Sequence, residues 1–161
     1  MNPSKIFEQA ICAMLRKAEL GPGVHLRPWQ SLRFDNTWNA EIDLQFPLVE
    51  ARFSPEAVNG DQWTLACTGL LTCATLTEDD GDHAIISKLY EAVYGVAVGI
   101  FRSFISNTGD LYAQFVAEVA AASPNTVHVA GITLESPMPP SNMTEGWNTI
   151  GLGFTVHFSY V

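Results

Sequence analysis

The sequence predicts a single α+β domain over residues 1–161, built on a mostly antiparallel twisted sheet of about four to five strands. Three observations indicate this fold. An N-terminal segment, Ile6–Ala18, has apolar residues at helical spacing. A longer apolar helical pattern covers residues 82–105. Residues 154–160 alternate apolar and polar, as a strand with one buried face does. The length suits one domain.

The first helix has clear start and stop signals. Asn2 is a favourable N-cap and Pro3 a favourable first helical residue. Gly21-Pro22-Gly23 is expected to end the helix. Its apolar stripe predicts an amphipathic helix that lies on another element.

Three strands are predicted next: a short edge strand, a strand with one buried face and a long central strand. Val24–Phe34 is expected to hold a short edge strand, broken by Pro28. Residues 38–48 alternate, which predicts a strand with one buried face and one acidic, solvated face. A turn-rich segment, 54–61, then leads to a long strand over 62–77. That strand is apolar or small on both faces, as expected of a central strand covered on both sides.

Two helices and two strands complete the prediction. The longer helix, 82–105, is expected to pack against the sheet, although its β-branched run over 93–100 also fits a strand. Within it, Gly95 and Gly99 would let a backbone approach closely, either the sheet or a neighbouring subunit. A shorter helix, 111–122, follows. Strands at 127–134 and 149–161 close the domain, joined by a loop over Ser136–Ser141.

The composition limits the function. Eight basic and 17 acidic residues give a formal charge of −9, which argues against non-specific binding to nucleic acid. No signal peptide is predicted. The most membrane-like stretch, 92–101, falls short of the roughly 20 residues that cross a bilayer. Cys12, Cys67 and Cys73 show no metal-binding spacing, which favours buried, reduced thiols.

The sequence contains no convincing catalytic or metal-binding pattern. An acidic turn with Asp79, Asp80 and Asp82 suggests calcium, but Ala84 and Ile85 occupy places where an EF-hand needs an oxygen ligand and a glycine. A solvated turn that caps the following helix is favoured instead. No nucleophile elbow, phosphate loop or zinc spacing occurs. We therefore predict no enzyme activity, cofactor or metal.

Two carboxylates on the predicted strand over 38–48 could serve acid–base chemistry or belong to a solvated strand face. Glu41 and Asp43 share one strand face, about 7 Å apart. Paired carboxylates can carry acid–base chemistry. Because Asn39 and Gln45 continue the same polar face, a solvated strand face is the preferred interpretation.

The candidate functional residues are therefore interface residues. Tryptophans in loops are typical of protein interfaces, and Trp29 and Trp147 lie beside Pro or Gly in predicted loops. The segment with Pro137, Met138 and Met143 fits a docking arm and a plain surface loop equally well. The complete predicted interface set is Trp29, Trp38, Glu41, Asp43, Pro137, Met138, Met143 and Trp147.

The order of elements resembles the small tail-terminator and head–tail joining proteins of long-tailed bacteriophages. Four segments carry the resemblance: Ile6–Ala18, Phe46–Phe53, Trp63–Thr77 and Phe154–Tyr160. The resemblance covers most of the chain as an architecture. It implies a structural virion protein that assembles into a ring, commonly a hexamer, in the host cytoplasm. Such a ring caps the tail tube and docks onto the capsid neck.

The resemblance also implies partners: other copies of the chain, the tail tube protein, and the head-completion or connector protein. DNA would pass through the lumen without specific binding, and no membrane is involved. One hypothesis places the acidic face of Glu41 and Asp43 in that lumen. Two alternatives stay open: a ligand-binding or enzymatic domain with a pocket between helix 82–105 and the sheet, and a homodimer paired through an edge strand.

Overall fold

The computed structural model describes residues 2–28, 45–59, 64–141 and 146–161. These residues form three helices and six strands: α1 (Pro3–Lys17), β1 (His25–Pro28), β2 (Leu48–Phe53), β3 (Ala57–Asn59), β4 (Thr64–Leu76), α2 (Ala84–Ser106), α3 (Leu111–Ala122), β5 (Val127–Ser141) and β6 (Trp147–Tyr160).

The six strands form one sheet in the order β1-β2-β4-β6-β5, and β3 pairs with β4 beside this path. Every pairing is antiparallel except that of β1 with β2, which is parallel. The predicted α+β class is confirmed. The sheet has more strands than expected, and the parallel pair makes it a mixed sheet.

The differences from the predicted strands lie before β4. The predicted strand over 38–48 falls, up to residue 44, outside the described residues, and 45–47 are not in a strand. The structure instead has β2 from Leu48, with Leu48, Val49, Ala51 and Phe53 all buried. Such nearly continuous burial hides the period-2 signal that marks a strand. The predicted turn segment 54–61 also contains the short strand β3.

Helix α1 begins as predicted. The Asn2 side chain accepts a hydrogen bond from the Lys5 N–H at 2.9 Å, with Pro3 in the first turn. The helix ends at Lys17, ahead of the glycines expected to stop it. On its buried side, the Glu8 carboxylate accepts the Phe53 N–H at 3.0 Å, and the Ser4 hydroxyl donates to the Ser54 carbonyl at 2.6 Å. These two bonds tie α1 to the end of β2.

Residues 84–106 form one continuous helix, α2, so the predicted helix is confirmed and the alternative strand over 93–100 is wrong. It packs against β4, β5, β6 and α3. A methyl group at Gly99 would overlap the Leu111 side chain, so this glycine permits a close approach of α3 and not the predicted approach of the sheet. Among the described residues, no atom lies within 4 Å of the position that a Cβ on Gly95 would take.

Phenylalanine rings fill the space between the helices and the sheet. Phe7 of α1 contacts Phe53 and Phe158, with ring centroids 6.0 and 5.2 Å apart. Phe115 of α3 meets Phe154 of β6 edge-on at 5.7 Å. All five rings are buried. In the described part of the chain, the helices lie on one face of the sheet. On the other face of β4, Thr68 is exposed, so the predicted coverage of both faces is incomplete there.

Gly69 lies at the centre of β4, opposite Phe53 on β2 and Phe154 on β6. A Cβ at this position would overlap the Phe154 carbonyl oxygen and the Phe53 ring. Both neighbours belong to the packed core and have little room to move. The sheet therefore needs glycine here for its close packing.

We expect Gly69→Ala to lower the free energy of unfolding by about 2–3 kcal/mol, because the added methyl group forces strands and rings apart. Gly95→Ala is the matched control. It lies in a helix with open space around it, and we expect a gain of about 0.8 kcal/mol. Urea denaturation of both variants checks this. A Gly69→Ala variant as stable as the unsubstituted protein would contradict the close approach of Phe53 and Phe154 to this glycine.

Candidate functional site

No group of three or more His, Cys, Asp or Glu residues with the geometry of a metal site occurs among residues 2–28, 45–59, 64–141 and 146–161. Of the histidines, His157 is half-buried on the sheet face away from the helices, and its Nε2 atom lies 2.7 Å from the Thr133 hydroxyl. Glu41 and Asp43 lie outside the described residues.

The most connected polar cluster is the Asp80 clasp, formed by Thr75, Asp80 and Asn148. Oδ1 of Asp80 accepts the Ile85 N–H at 2.8 Å, and Oδ2 accepts the Ile86 N–H at 3.0 Å. The Thr75 hydroxyl also donates to Oδ2, at 2.9 Å. The Asn148 amide donates to the Asp80 carbonyl at 2.8 Å. The clasp thus joins the first turn of α2 to β4 and β6.

The clasp explains the charge state of Asp80. Burial opposes ionisation of this carboxyl, which is 1% exposed. The Ile85 and Ile86 N–H groups and the Thr75 hydroxyl outweigh that effect and hold the pKa of Asp80 below its ordinary value of 3.8. The acidic turn therefore anchors a helix N-terminus, as the sequence favoured over calcium binding, but Asp80 is buried and not solvated as predicted. Both carboxylate oxygens are occupied by donors of the chain itself.

The three cysteines are buried thiols, as predicted. Burial raises the pKa of Cys12 and of Cys73 to about 12, and that of Cys67 to about 11. At neutral pH these groups are protonated, and a thiol is a far weaker nucleophile than a thiolate. They contribute packing volume to the core.

The region between α2 and the sheet, where the alternative hypothesis places a pocket, is filled with apolar side chains. Ile86, Leu89, Val93, Ala97 and Ile100 of α2 are each at most 2% exposed. Among the described residues, the hydrogen-bonded buried polar groups of α2 and its anchor lie at its two ends, in the Asp80 clasp and at Ser103, whose hydroxyl donates to the Gly109 carbonyl at 3.2 Å. Midway along α2, the Tyr90 hydroxyl is buried and has no hydrogen-bond partner among these residues. This packing disfavours a polar ligand pocket beneath the helix.

The predicted interface residues fall into two groups. Trp29, Trp38, Glu41, Asp43 and Met143 lie outside the described residues. Pro137, Met138 and Trp147 lie on β5 and β6.

The predicted loop over 136–141 is wrong, because β5 runs through to Ser141. Met138 pairs with Gly151 and Ser141 with Thr149, with register shifts on either side of Met138. A proline-rich strand is tolerated here because β5 is at the sheet edge and its ladder is interrupted by bulges. The prolines of residues 136–141 therefore lie in an edge strand and not in the predicted loop.

Trp147 was also predicted to lie in a loop, and this is wrong. It is the first residue of β6, opposite Leu76 on β4. Its half-buried ring contacts that of Phe46, with centroids 5.1 Å apart. Trp147 thus contributes to the packing at this end of the sheet.

Sequence reasoning missed the apolar side chains that the structure exposes. In the described part of the chain the large exposed hydrophobic residues are Ile85, Tyr94 and Ile105 on α2, and Val58, Tyr160 and Val161 at the end of the sheet. Tyr160 was predicted to be on the buried face of its strand. It is 49% exposed, and its hydroxyl donates to the Glu56 carboxylate at 2.7 Å. A helical wheel would have placed Tyr94 and Ile105 away from the buried side of α2.

Helix α2 is long and apolar enough to cross a membrane by length and composition alone. Only 28% of its most apolar window is buried. It also packs along the sheet, as the core helix of a folded domain does. The large apolar side chains of this helix that the described residues leave exposed are Ile85, Tyr94 and Ile105.

A scan against protein-family models finds no match to this chain, and a search of curated proteins finds none either.

We expect Asp80→Asn to lower the free energy of unfolding by about 2 kcal/mol at pH 7, because a neutral amide bonds the α2 N–H groups more weakly than a carboxylate. Since the folded-state pKa is depressed, the stabilisation is complete above the unfolded pKa of about 3.8 and is lost as pH falls through the folded pKa. Denaturation from pH 3 to 7 measures this difference. The exposed neighbour Asp79→Asn is the control. Equal losses in both variants would contradict the clasp.

Proposed function

We propose that this chain is a structural virion protein, a tail-terminator or head–tail connector subunit of a long-tailed bacteriophage. In this proposal it assembles into a ring, expected to be a hexamer, that caps the tail tube and docks it to the capsid neck. The observation that carries the proposal is the uncovered apolar surface of α2. The sheet and α3 cover two sides of this apolar helix, and the exposed Ile85, Tyr94 and Ile105 fit a surface covered by another protein.

The order of the elements supports the proposal. The resemblance to the phage family rests on an N-terminal amphipathic helix, a long central strand, an apolar helix packed on the sheet and two closing strands. The described residues contain α1, β4, α2, β5 and β6 in that order and in those positions. A shared order of elements supports a structural role as an analogy of fold.

The distribution of polar groups supports a role without catalysis. In the described part of the chain, the Asp80 clasp anchors a helix, Glu8 and Ser4 hold α1 to β2, and the thiols are protonated in the core. None of these groups forms a convergent, solvent-accessible set that would act on a substrate. The polar groups therefore favour the ring over the enzyme alternative, as does the filled space beneath α2.

The remaining parts of the proposal follow from the ring. Its partners would be further copies of the chain, the tail tube protein and the head-completion or connector protein, and it would reside in the virion after assembly in the host cytoplasm. The charge of −9 suits a channel through which DNA passes without adhering. The open outer edge of β5, the last strand of the sheet, keeps a homodimer paired through that edge as the second candidate.

We expect the purified protein to form a closed ring of about six subunits, visible in negative stain and with the corresponding mass by light scattering across concentration. The uncovered apolar surface of α2 provides the free energy for this association. A dimer at every concentration would support edge-strand pairing instead. A strict monomer, also in the presence of tail tubes, would contradict the proposal.

We expect the double substitution Glu41→Lys and Asp43→Lys to slow DNA ejection severalfold while the ring assembles normally, because lysines in the lumen would bind the passing phosphates. Ejection from virions that carry the substituted protein measures the effect. The control is Glu19→Lys, a charge reversal at an exposed position after α1. Unaltered ejection by the double variant would contradict the lumen assignment.

A further inference from the structure

One side of α2 has residues spaced alternately by four and three positions, which is the seven-residue repeat of helices that pack against other helices. Because an α-helix drifts by only about 20° over seven residues, these positions form one stripe along the helix. Every member is exposed except Val98, which is half-buried. We call this stripe the α2 seam; it consists of Ala84, Lys88, Glu91, Gly95, Val98, Arg102 and Ile105.

All three charged residues of α2 lie on the α2 seam. Lys88 and Glu91 lie in the first half of the helix, and Arg102 lies near its end. None of the three forms an ion pair with another residue in the described part of the chain. A charged or polar residue at a position of such a repeat selects the register of the partner helix. The charges of the seam therefore restrict what can pack on it.

Gly95 lies at the middle of the α2 seam and forms a notch in it. Glycine weakens a helix relative to alanine, so its presence in a helix interior suggests a close contact. Gly99 has such a contact within the chain, with Leu111 of α3, whereas no described atom lies within 4 Å of a Cβ on Gly95. The notch at Gly95 is therefore open to a side chain from another molecule.

We infer that a second copy of this chain docks on the seam, so that two α2 helices pack antiparallel about a two-fold axis. In the register that we assign, Glu91 of each copy lies opposite Arg102 of the other, which forms two ion pairs. Val98 of each copy lies opposite Gly95 of the other and fills its notch. Lys88 lies opposite Ile105, where its methylene stem covers the apolar side chain. The seam is thus complementary to itself in both charge and shape.

Charge selects this arrangement over other pairings of the same seam. Parallel helices in register would bring Glu91 against Glu91 and Arg102 against Arg102, and like charges at an interface cost free energy. An antiparallel pairing shifted by one repeat would place Arg102 opposite Ala84 or Val98 and remove both ion pairs. A shift by two repeats would pair Lys88 with Glu91 but would overlap only the first halves of the helices.

The α2 pair goes beyond the proposed function and does not rest on it. A ring whose two ends bind different proteins needs head-to-tail contacts, whereas the α2 pair is two-fold. The pair therefore belongs to the free chain, at concentrations below those at which a ring closes. There it removes Val98 and Ile105 from water until a ring neighbour replaces the second copy.

Reversing one charge at a time tests the pair. Glu91→Arg places two arginines opposite each other, and Arg102→Glu places two glutamates opposite each other. Each variant alone is expected to have the mass of one chain, 17.6 kDa, at concentrations where the unsubstituted protein has twice that mass. Their equimolar mixture is expected to recover the dimer, because every facing pair in it has opposite charges. Light scattering over a dilution series measures these masses.

Two further variants complete this test. The double variant Glu91→Arg with Arg102→Glu exchanges the two charges and is expected to form the dimer again on its own. Glu19→Lys, a charge reversal at an exposed position after α1, is the control and is expected to dimerise as the unsubstituted protein does. All of the substituted positions are exposed, so each variant is expected to fold, which circular dichroism checks.

The outcomes separate this inference from the proposed ring. A dimer that both single reversals leave intact would be the edge-strand pair of β5 and would overturn the inference. A ring that dissociates on dilution directly to single chains would also overturn it, while the proposed function would stand. A dimer at every concentration, lost in each single variant and recovered in their mixture, would support the α2 pair and contradict the ring.

Disulfide formation measures the orientation of the two helices. The native thiols are buried, so cysteines introduced on the seam are the accessible ones. A mixture of Glu91→Cys and Arg102→Cys chains is expected to give a linked dimer under mild oxidation. Each variant alone is expected to stay unlinked, because antiparallel packing separates the two copies of one residue by about 16 Å along the axis. A linked dimer from either variant alone, or an unlinked mixture, would overturn the inference.

Discussion

The packing of phenylalanine rings against the backbone of β4 at Gly69 is the constraint on which the rest of the fold depends. Phe53 from β2 and Phe154 from β6 flank this glycine. Phe7 from α1 and Phe115 from α3 pack against those two rings. Truncation of a buried phenylalanine typically costs about 3–5 kcal/mol, and these rings contact one another, so their losses would not be independent. Two helices and three strands thus share one set of contacts.

The position of α2 follows from that packing and from contacts at its ends. The Asp80 clasp fixes its first turn to β4 and β6, and Gly99 lets α3 pack closely against one side. Because α3 and the sheet occupy two sides of α2, Tyr94 and Ile105 are left toward solvent. Removing such side chains from water contributes roughly 25 cal/mol per Å². In a single chain these side chains stay in water, and a contact with another subunit would gain this free energy by burying them.

The sequence predicted the elements whose signals are local. Asn2 and Pro3 marked the start of α1, and the spacing of Ile86, Leu89 and Val93 marked the buried side of α2. The prediction failed where contacts with elements distant in sequence decide the local structure. β2 is buried at nearly every position and so loses its alternation. Ser136–Ser141 has prolines that suggest a loop, but an edge strand accepts them.

The exposed apolar side chains were less predictable than the fold, again for a physical reason. Exposure of Val58 and Tyr160 depends on where the helix layer ends over the sheet, and a strand pattern cannot show this. Tyr160 continues the buried series of Phe154, Val156 and Phe158, yet it is exposed. Periodicity reports which side chains share a face. Whether that face is covered at a given residue depends on elements distant in sequence, such as α1 and α2.

Whether contacts between subunits close into a ring depends on the angle between the contacting surfaces within one subunit. In this fold β4 and β6 pair without interruption from Leu65 with Phe158 to Leu76 with Trp147. Val58 is paired to one end of this ribbon, the clasp fixes the first turn of α2 to the other end, and Phe104 near the last turn of α2 packs against Gly131 of β5. Since packed strands and helices transmit strain and deform little, the angle is set by the sheet. The number of subunits in a ring would therefore be a property of the whole fold rather than of the contact residues alone.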